Sequence, residues 1–576
     1  MSPRGRLLAV LAAAVCVPLV VAVVAVAGDR WHPSGDMAQA ELHVRGFFGH
    51  PPLVGAAGRL GTIDQQGSHP GPSMWFLLLP TYRLLGSTGW ALEAGVAVVA
   101  ALSIVGVLVV ARRRGGTPLL VLAAAGLAVL VASNGPAVFT EPWNPWLPVL
   151  PFLLFVLLVW SVVEDDRACL PWAAAVGTHC VQSHVGYAPL VGALGLVVAV
   201  VALRRRWWRP ILLAAGVGFV LWLPPMIDQL GRADGYPGNL TILFHYFRTP
   251  GGPLVGLGGA AKAVAGELNL AGPWLRGRGH QPTQSPFWPG FVAFVALWAG
   301  AAWVAWRRRF HAALRLHALL AGAWVVGLVA MSRVFGEFFD YVIRWASTLA
   351  ALVAVAIAWT VALATADRTW RPHARRFAFG AVAVAVGFGA VAATTAESSG
   401  LRNSAIVAAL GPPLAERLDA VDPDGRYLIR WDDSVSLNAT GVGVLLDLEH
   451  RGFRVGADPV ERAAVLPSRV LPEDEATAIV HVEVGPAAEA LRGQPGVEVV
   501  ATFDPRSPAE VQRTADLAAR VDARLQAAEL QELTPVLDQS LVGVAIDPRV
   551  PRDVADDVEE LIELGLPATA FLERRT

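Results

Sequence analysis

The chain reads as a polytopic α-helical membrane protein with a C-terminal α/β domain on the extracytoplasmic side. Of 576 residues, 54% are hydrophobic and only 16% are charged, and the mean hydropathy is +0.49. One or two soluble cores cannot bury that much apolar surface. The basic residues, almost all arginine, cluster between apolar runs, which is how spans are oriented in a bilayer. Past residue 394 the hydropathy falls and strand-type patterns alternate with helical ones. Two domains are expected, 1–394 and 395–576.

The formal charge of -1 points to no nucleic-acid partner. Cys16, Cys169 and Cys180 lie in or beside apolar segments without metal-ligand spacing, which argues against a disulfide framework, a zinc site and redox chemistry. Residues 7–27 follow Arg4 and Arg6. The run is longer than a signal-peptide core of about 7–15 residues and fits the roughly 20 needed to span a bilayer. It is read as an uncleaved first helix with a cytoplasmic N-terminus. A polar loop, 28–72, then lies outside, and it carries Asp36, Glu41, His43, Arg45, Asp64 and His69.

Residues 72–85 are expected along the outer interface, with Trp75 and Tyr82 as anchors. Spans follow at 88–111, 119–133, 146–163, 170–181, 188–203, 211–227, 291–306, 312–331, 345–364 and 377–393, about eleven with the first. This alternation puts Arg112–Arg114, Arg204–Arg206, Arg307–Arg309 and Arg368 to Arg376 in the cytoplasm, with Glu164, Asp165 and Asp166 as acidic exceptions. Two short spans within 170–203, joined by Gln182, His184 and Gly186, fit a turn lining a protein cavity or a plain turn in water. A long outer loop covers 228–289. In the C-terminal domain, 427–433, 478–484 and 497–503 read as strands, and 441–451 and 508–530 as helices.

The first third resembles a known family. The segments GDMAQAELHVR (35–45), HPPL (50–53), HPGPSMWFLLLPTYRLLG (69–86) and VVARRRGG (109–116) resemble the GT-C superfamily of membrane glycosyltransferases, in its protein mannosyltransferase and aminoarabinose transferase branch. The likeness is one of motif over about the first 115 residues, of topology to about 393, and absent beyond. It implies a polyprenyl-phosphate sugar donor, transfer with inversion, Asp36 as catalytic base and Glu41 as a metal or acceptor ligand. A divalent cation, Mg or Mn, is the one cofactor it suggests. The sequence departs from the family in one respect. Many members have the two acids adjacent, and here a five-residue spacing turns them about 140° apart on a helix. Asp36 followed by Gln39 also reads as a capping box.

Leaving-group phosphate needs cations. Arg344 is the first choice and Arg333 the second, both in the stretch 333–345 that also holds Glu337 and Asp340, with His184 and Gln182 as further donor-phosphate candidates. His43, Arg45, His69, Glu141 and Asn144 are candidates for the acceptor or sugar. Glu141 and Asn144 lie in a Trp/Pro-rich turn that also fits an interfacial anchor. The expected partners are the donor lipid, an envelope glycan or glycolipid acceptor and the bilayer, in the plasma membrane of a high-GC bacterium such as an actinobacterium. Rival readings are an O-antigen-type ligase or polymerase, a transporter or flippase, and an envelope scaffold. A transporter predicts internally repeated halves, and none is visible.

Overall fold

In the computed structural model, residues 3–28, 30–62, 65–231, 236–277, 282, 284–336, 338–365, 371–433, 435, 439–547 and 549–574 are described. Asp64, Glu337 and Arg368 lie outside them. The chain divides into two units. A helical unit holds Met1–Asp29, Leu53–Gly86 and Trp90–Glu397, and a sheet unit holds Arg30–Pro52, Ser87–Gly89 and Ser398–Thr576. The C-terminal boundary falls near the expected one, but half of the first polar loop belongs to the sheet unit.

The helical unit contains α1 (Pro3–Val26), and α2 (Gly35–Arg45) follows in the sheet unit. A hairpin comes next, β1 (Ala57–Gly61) and β2 (Gln66–Ser68), then α3 (Ser73–Leu84) and α4 (Gly89–Asn134). After these come α5 (Val149–Val163), α6 (Cys169–Ser183), α7 (Ala188–Arg204), α8 (Trp208–Gly231), α9 (Asn239–Arg248), α10 (Gly256–Glu267), α11 (Pro273–Arg276), α12 (Trp288–Arg307), α13 (His311–Ser332), α14 (Arg344–Ala364) and α15 (Arg371–Ala393). Among the described residues, 8 helices are long and apolar enough to cross a membrane. The eleven expected spans are not reached by that measure. α4 takes up two of them in one 46-residue element that kinks at Gly116, whose φ is 64°. α5 and α6 have 15 residues each, fewer than the roughly 20 of a full crossing.

The three acidic exceptions are each neutralised by arginine. Asp166 pairs with Arg113 and Arg114, Asp165 with Arg205, and Glu164 with Arg315. Helix α3 forms where the interfacial segment was expected, but its two proposed anchors are buried. Trp75 and Tyr82 are among the largest enclosed side chains, and Trp75 donates to the Val54 carbonyl, while Leu77, Leu84 and Leu85 are exposed. Positions 74, 75, 78 and 82 share one face of a 3.6-residue helix, so packing that face encloses both aromatics.

In the sheet unit, α16 (Leu401–Val421) precedes β3 (Arg426–Asp433), α17 (Ala439–His450), β4 (Arg454–Ala457), β5 (Ala478–Val484), β6 (Val497–Phe503), α18 (Pro508–Ala527), α19 (Arg552–Leu564) and β7 (Ala568–Arg574). The strand order is β4-β3-β5-β7-β6, with β3 parallel to β4 and β5, and β7 antiparallel to β5 and β6. Helix α18 starts with a capping box of Ser507 and Glu510. Helix α19 buries Val554, Val558, Leu561 and Leu564 along one stripe, each worth about 1.5–3 kcal/mol.

Helix α2 packs on α17 within this unit. Gly35 takes a φ of 51°, and a Cβ there would come 3.0 Å from Ala439 Cβ, so the close start of the helix requires glycine. The helix begins one residue before Asp36, with Ser34 as its N-cap. The expected capping box is therefore corrected. Asp36 and Gln39 are both helical, and their side chains meet only at 3.5 Å.

Candidate functional site

The site in the helical unit starts at the turn between α6 and α7. The helix stops at His184, whose backbone is extended (φ -148°, ψ 120°). The loop after β2 closes over this turn. His69 Nδ1 accepts the Val185 N–H at 3.1 Å, and His184 Nδ1 accepts the Gly186 N–H at 3.2 Å. The two rings lie 4.6 Å apart. Each ring is therefore a neutral imidazole with its proton on Nε2, and burial, reinforced by His184, holds the His69 pKa well below the usual histidine range. Asn239 bonds the Ser68 N–H and carbonyl and so fixes the hairpin. A Cβ at Gly71 would sit 2.4 Å from Gln182 Cδ, so only glycine lets that side chain pass. Gln182 donates to the Leu221 carbonyl at 2.7 Å, and its Oε1 has no partner among the described residues. Asn144 donates to the Ser183 carbonyl at 3.2 Å.

Arg344 is the buried cation beside this turn, only 4% exposed. It donates to Asp340 at 2.5 Å, contacts Asn134 Oδ1 at 3.5 Å and sits 4.9 Å from the Trp146 ring. Trp146 donates to Glu141 at 2.9 Å. Arg344 Nε and Tyr187 Oη, both buried, have no partner among the described residues, and Tyr187 lies within the electrostatic reach of Arg344. One turn on, Ser347 donates to Glu267 at 2.8 Å. Burial lifts the Glu267 pKa to about 7, against the opposing effects of Ser347 and Arg344. Arg344 is the first residue of α14, where the helix dipole disfavours a cation. Guanidinium and helix N-terminus together favour an anion.

A cleft of about 580 Å³ opens below the turn, between α6, α7 and α8. Its lining runs from Val181 and Ala188 beside His184 to Leu203 and Ile211, and includes no charged residue. The α7 wall covers 15 rises, about 22 Å. Gly192 and Gly195 face open space, with nothing within 4 Å of a Cβ built on either.

Six sequence candidates thus fall into one neighbourhood: His69, Glu141, Asn144, Gln182, His184 and Arg344. Arg333 does not join them, being exposed at the C-cap of α13. Glu267, Asn134, Tyr187 and Ser347 were not anticipated. The only signal was the isolated acid ending the Gly/Ala-rich α10.

The remaining four candidates are in the sheet unit. Asp36 is exposed in the first turn of α2. Glu41, 0% exposed, bonds His450 Nε2 at 2.7 Å. Arg45 bonds Glu449 at 2.9 Å and His450 Nδ1 at 3.2 Å, and Arg469 donates to both Glu449 oxygens. His43 is fully buried and donates from Nδ1 to the Gln39 carbonyl at 2.6 Å. Glu41, His43 and Arg45, expected to meet acceptor or metal, fasten α2 to α17 or lie in the packing beneath it. Among the described residues no three His, Cys, Asp or Glu side chains group as a metal site. Asp36 and Glu41, one exposed and one enclosed, do not fit a shared cation.

No protein-family model and no curated protein matches the chain. Among solved structures, ArnT from Cupriavidus metallidurans bound to undecaprenyl phosphate superposes with a TM-score of 0.54 at 20% identity, covering 85% of this chain and 95% of that one. The same protein in the apo state gives 0.53 at 17% identity with the same coverage. The oligosaccharyltransferase AglB from Archaeoglobus fulgidus, in complex with an inhibitory peptide and a dolichol-phosphate, gives 0.44 at 11% identity, covering 98% of this chain and 88% of that one. Eight apolar helices among the described residues, a C-terminal sheet-bearing region and the agreement with ArnT along nearly its whole length lead to one conclusion: the chain shares the fold of ArnT.

Proposed function

We propose that the protein is a glycosyltransferase that takes a sugar from a polyprenyl-phosphate donor and transfers it, with inversion, to a cell-envelope glycan or glycolipid on the outer face of the plasma membrane. The observation that carries this reading is the uncharged cleft leading to the Gln182–Tyr187 turn, with the buried Arg344 two residues past Val342, whose carbonyl lies 3.3 Å from a Cβ built on Gly186 of that turn. An isoprenoid chain suits a cleft without charges, and its phosphate suits a buried guanidinium at a helix N-terminus. Undecaprenyl phosphate, the ligand bound to ArnT in a structure of the same fold, has this chemistry.

During transfer the acceptor oxygen forms a bond to the anomeric carbon as the carbon–oxygen bond to phosphate breaks. The phosphate leaves as an anion, and Arg344 takes up its charge in place of Asp340. The acceptor proton goes to a carboxylate. Asp36 is proposed for that role on its motif and its exposure, and Glu267 is the rival within the helical unit. Transfer from radiolabelled polyprenyl-phosphate sugars in membranes decides between them. Asp36→Asn is expected to cut turnover by about a hundredfold or more, the usual scale of a lost general base. Turnover unchanged in Asp36→Asn but lost in Glu267→Gln reassigns the base. No transfer from any donor overturns the function.

The outward orientation is tested by cysteine labelling. Ser34 and Ser398 are buried and unsuitable, whereas His50 and Thr395 are exposed. His50→Cys and Thr395→Cys are both expected to react with an impermeant thiol reagent in intact cells, and Arg205→Cys only after lysis. The opposite pattern inverts the topology.

A further inference from the structure

A row of aromatic rings leads away from the Arg344 site. Trp146, which covers the Arg344 guanidinium, lies 4.8 Å from Trp143 between ring centroids, Trp143 lies 5.1 Å from Tyr341, and Tyr341 lies 5.2 Å from Phe339. The last two rings are stacked at 11°. A second guanidinium, Arg59 of β1, lies over Phe339 at 5.1 Å, and Tyr246 of α9, packed on Phe335 at 4.8 Å, feels its charge. Trp146 is buried, but Trp143, Tyr341 and Phe339 are half-buried and Arg59 is exposed. Arg59 has no carboxylate partner among the described residues. The row therefore has a buried cation at one end and an exposed one at the other.

We propose that Trp143, Tyr341, Phe339 and Arg59 form a binding platform for an anionic sugar of the acceptor. Aromatic faces pack against the C–H faces of pyranose rings while the hydroxyls stay hydrated, which a half-buried ring permits and an enclosed one does not. A planar guanidinium beside the last ring selects a carboxylate or phosphate on that sugar. The direction of the platform, from donor to acceptor, rests on the donor reading of Arg344. The platform itself rests on the row and Arg59.

Saturation-transfer NMR on the full chain in lipid nanodiscs tests it with three probes: a galacturonic acid trisaccharide, glucose 6-phosphate and maltotriose. At least one anionic probe is expected to bind more tightly than maltotriose, and the preferred one identifies the charged group. Arg59→Gln, a change at an exposed position, is expected to lower anionic affinity about tenfold, to the maltotriose level. Phe339→Leu is expected to weaken all three. Equal binding of neutral and anionic probes, unchanged affinity in Arg59→Gln, or no binding at all overturns the proposal. Undecaprenyl-phosphate binding in the same nanodiscs separates the two readings. Sugar binding without lipid binding removes the donor assignment and keeps the platform, and lipid binding without sugar binding does the reverse.

Discussion

Arg344→Ala is expected to weaken undecaprenyl-phosphate binding by about 150- to 4000-fold, the 3–5 kcal/mol typical of deleting one member of a buried charge pair. Asp340→Asn is expected to act in the opposite direction. Its carboxylate now occupies the guanidinium at 2.5 Å while remaining 38% exposed, so it competes with an incoming phosphate from the water side. Removing that charge leaves Arg344 buried without an anion. The ligand-free protein should melt earlier, the lipid should bind several-fold more tightly, and added undecaprenyl phosphate should restore most of the lost stability. Gly192→Leu blocks the other half of the ligand. Because open space faces Gly192, leucine fits without displacing the fold and fills the cleft. Lipid binding should be lost while the melting temperature of the ligand-free chain stays within a few degrees. Equal binding in wild type, Arg344→Ala and Gly192→Leu, measured in nanodiscs, removes both the phosphate site and the tail cleft.

The second large effect concerns acid. Burial, with the charge of Arg469 assisting, keeps His43 neutral and lowers its pKa from 6.5 to about 4, against the pull of its bond to the Gln39 carbonyl. An unfolded chain binds that proton first. His43 thus contributes fully above pH 6.5, and the contribution is lost as pH falls from 6.5 to 4, by about 3 kcal/mol. Further loss follows at lower pH. Burial opposes ionisation of Asp447 and Glu449, but bonds from His32 and Arg451 to the first and from Arg469 and Arg45 to the second hold both below their usual range. Hydrogen-exchange protection of α2 amides in the full chain, corrected for intrinsic rates, should fall steadily between pH 7 and pH 4.5. His43→Leu should flatten that slope and leave the loss below pH 4. Protection that does not vary across this range in the wild type would show that His43 is not the proton-linked group.

Much of the architecture was legible because it depends on local periodicity. The strands at 478–484 and 497–503 coincide with the expected ones, since alternation over seven residues is a property of the strand alone. β7 and β4 were not anticipated. β7 is buried on both faces over Ala568–Leu572 and so shows no alternation, and four-residue β4 is too short to carry a pattern. The divergence of Asp36 from Glu41 was visible in their five-residue spacing, and the structure has one exposed and the other enclosed. The partners of Glu41 and Arg45 were not visible, because His450 and Glu449 lie more than 400 positions away.

By itself the sequence determined that this protein lives in a bilayer, which segments are apolar enough to enter it, and that an α/β domain follows. These are sums over neighbouring residues, and neighbours are all a sequence displays. Only the tertiary structure decided which polar groups share a site. It took Glu41, His43 and Arg45 into the packing of α2 on α17, and it brought Glu267 and Tyr187, from two distant segments, within electrostatic reach of the buried Arg344. The cost of an unpaired ion in a low-dielectric interior selects such partners by distance in space, and chain position carries little record of that.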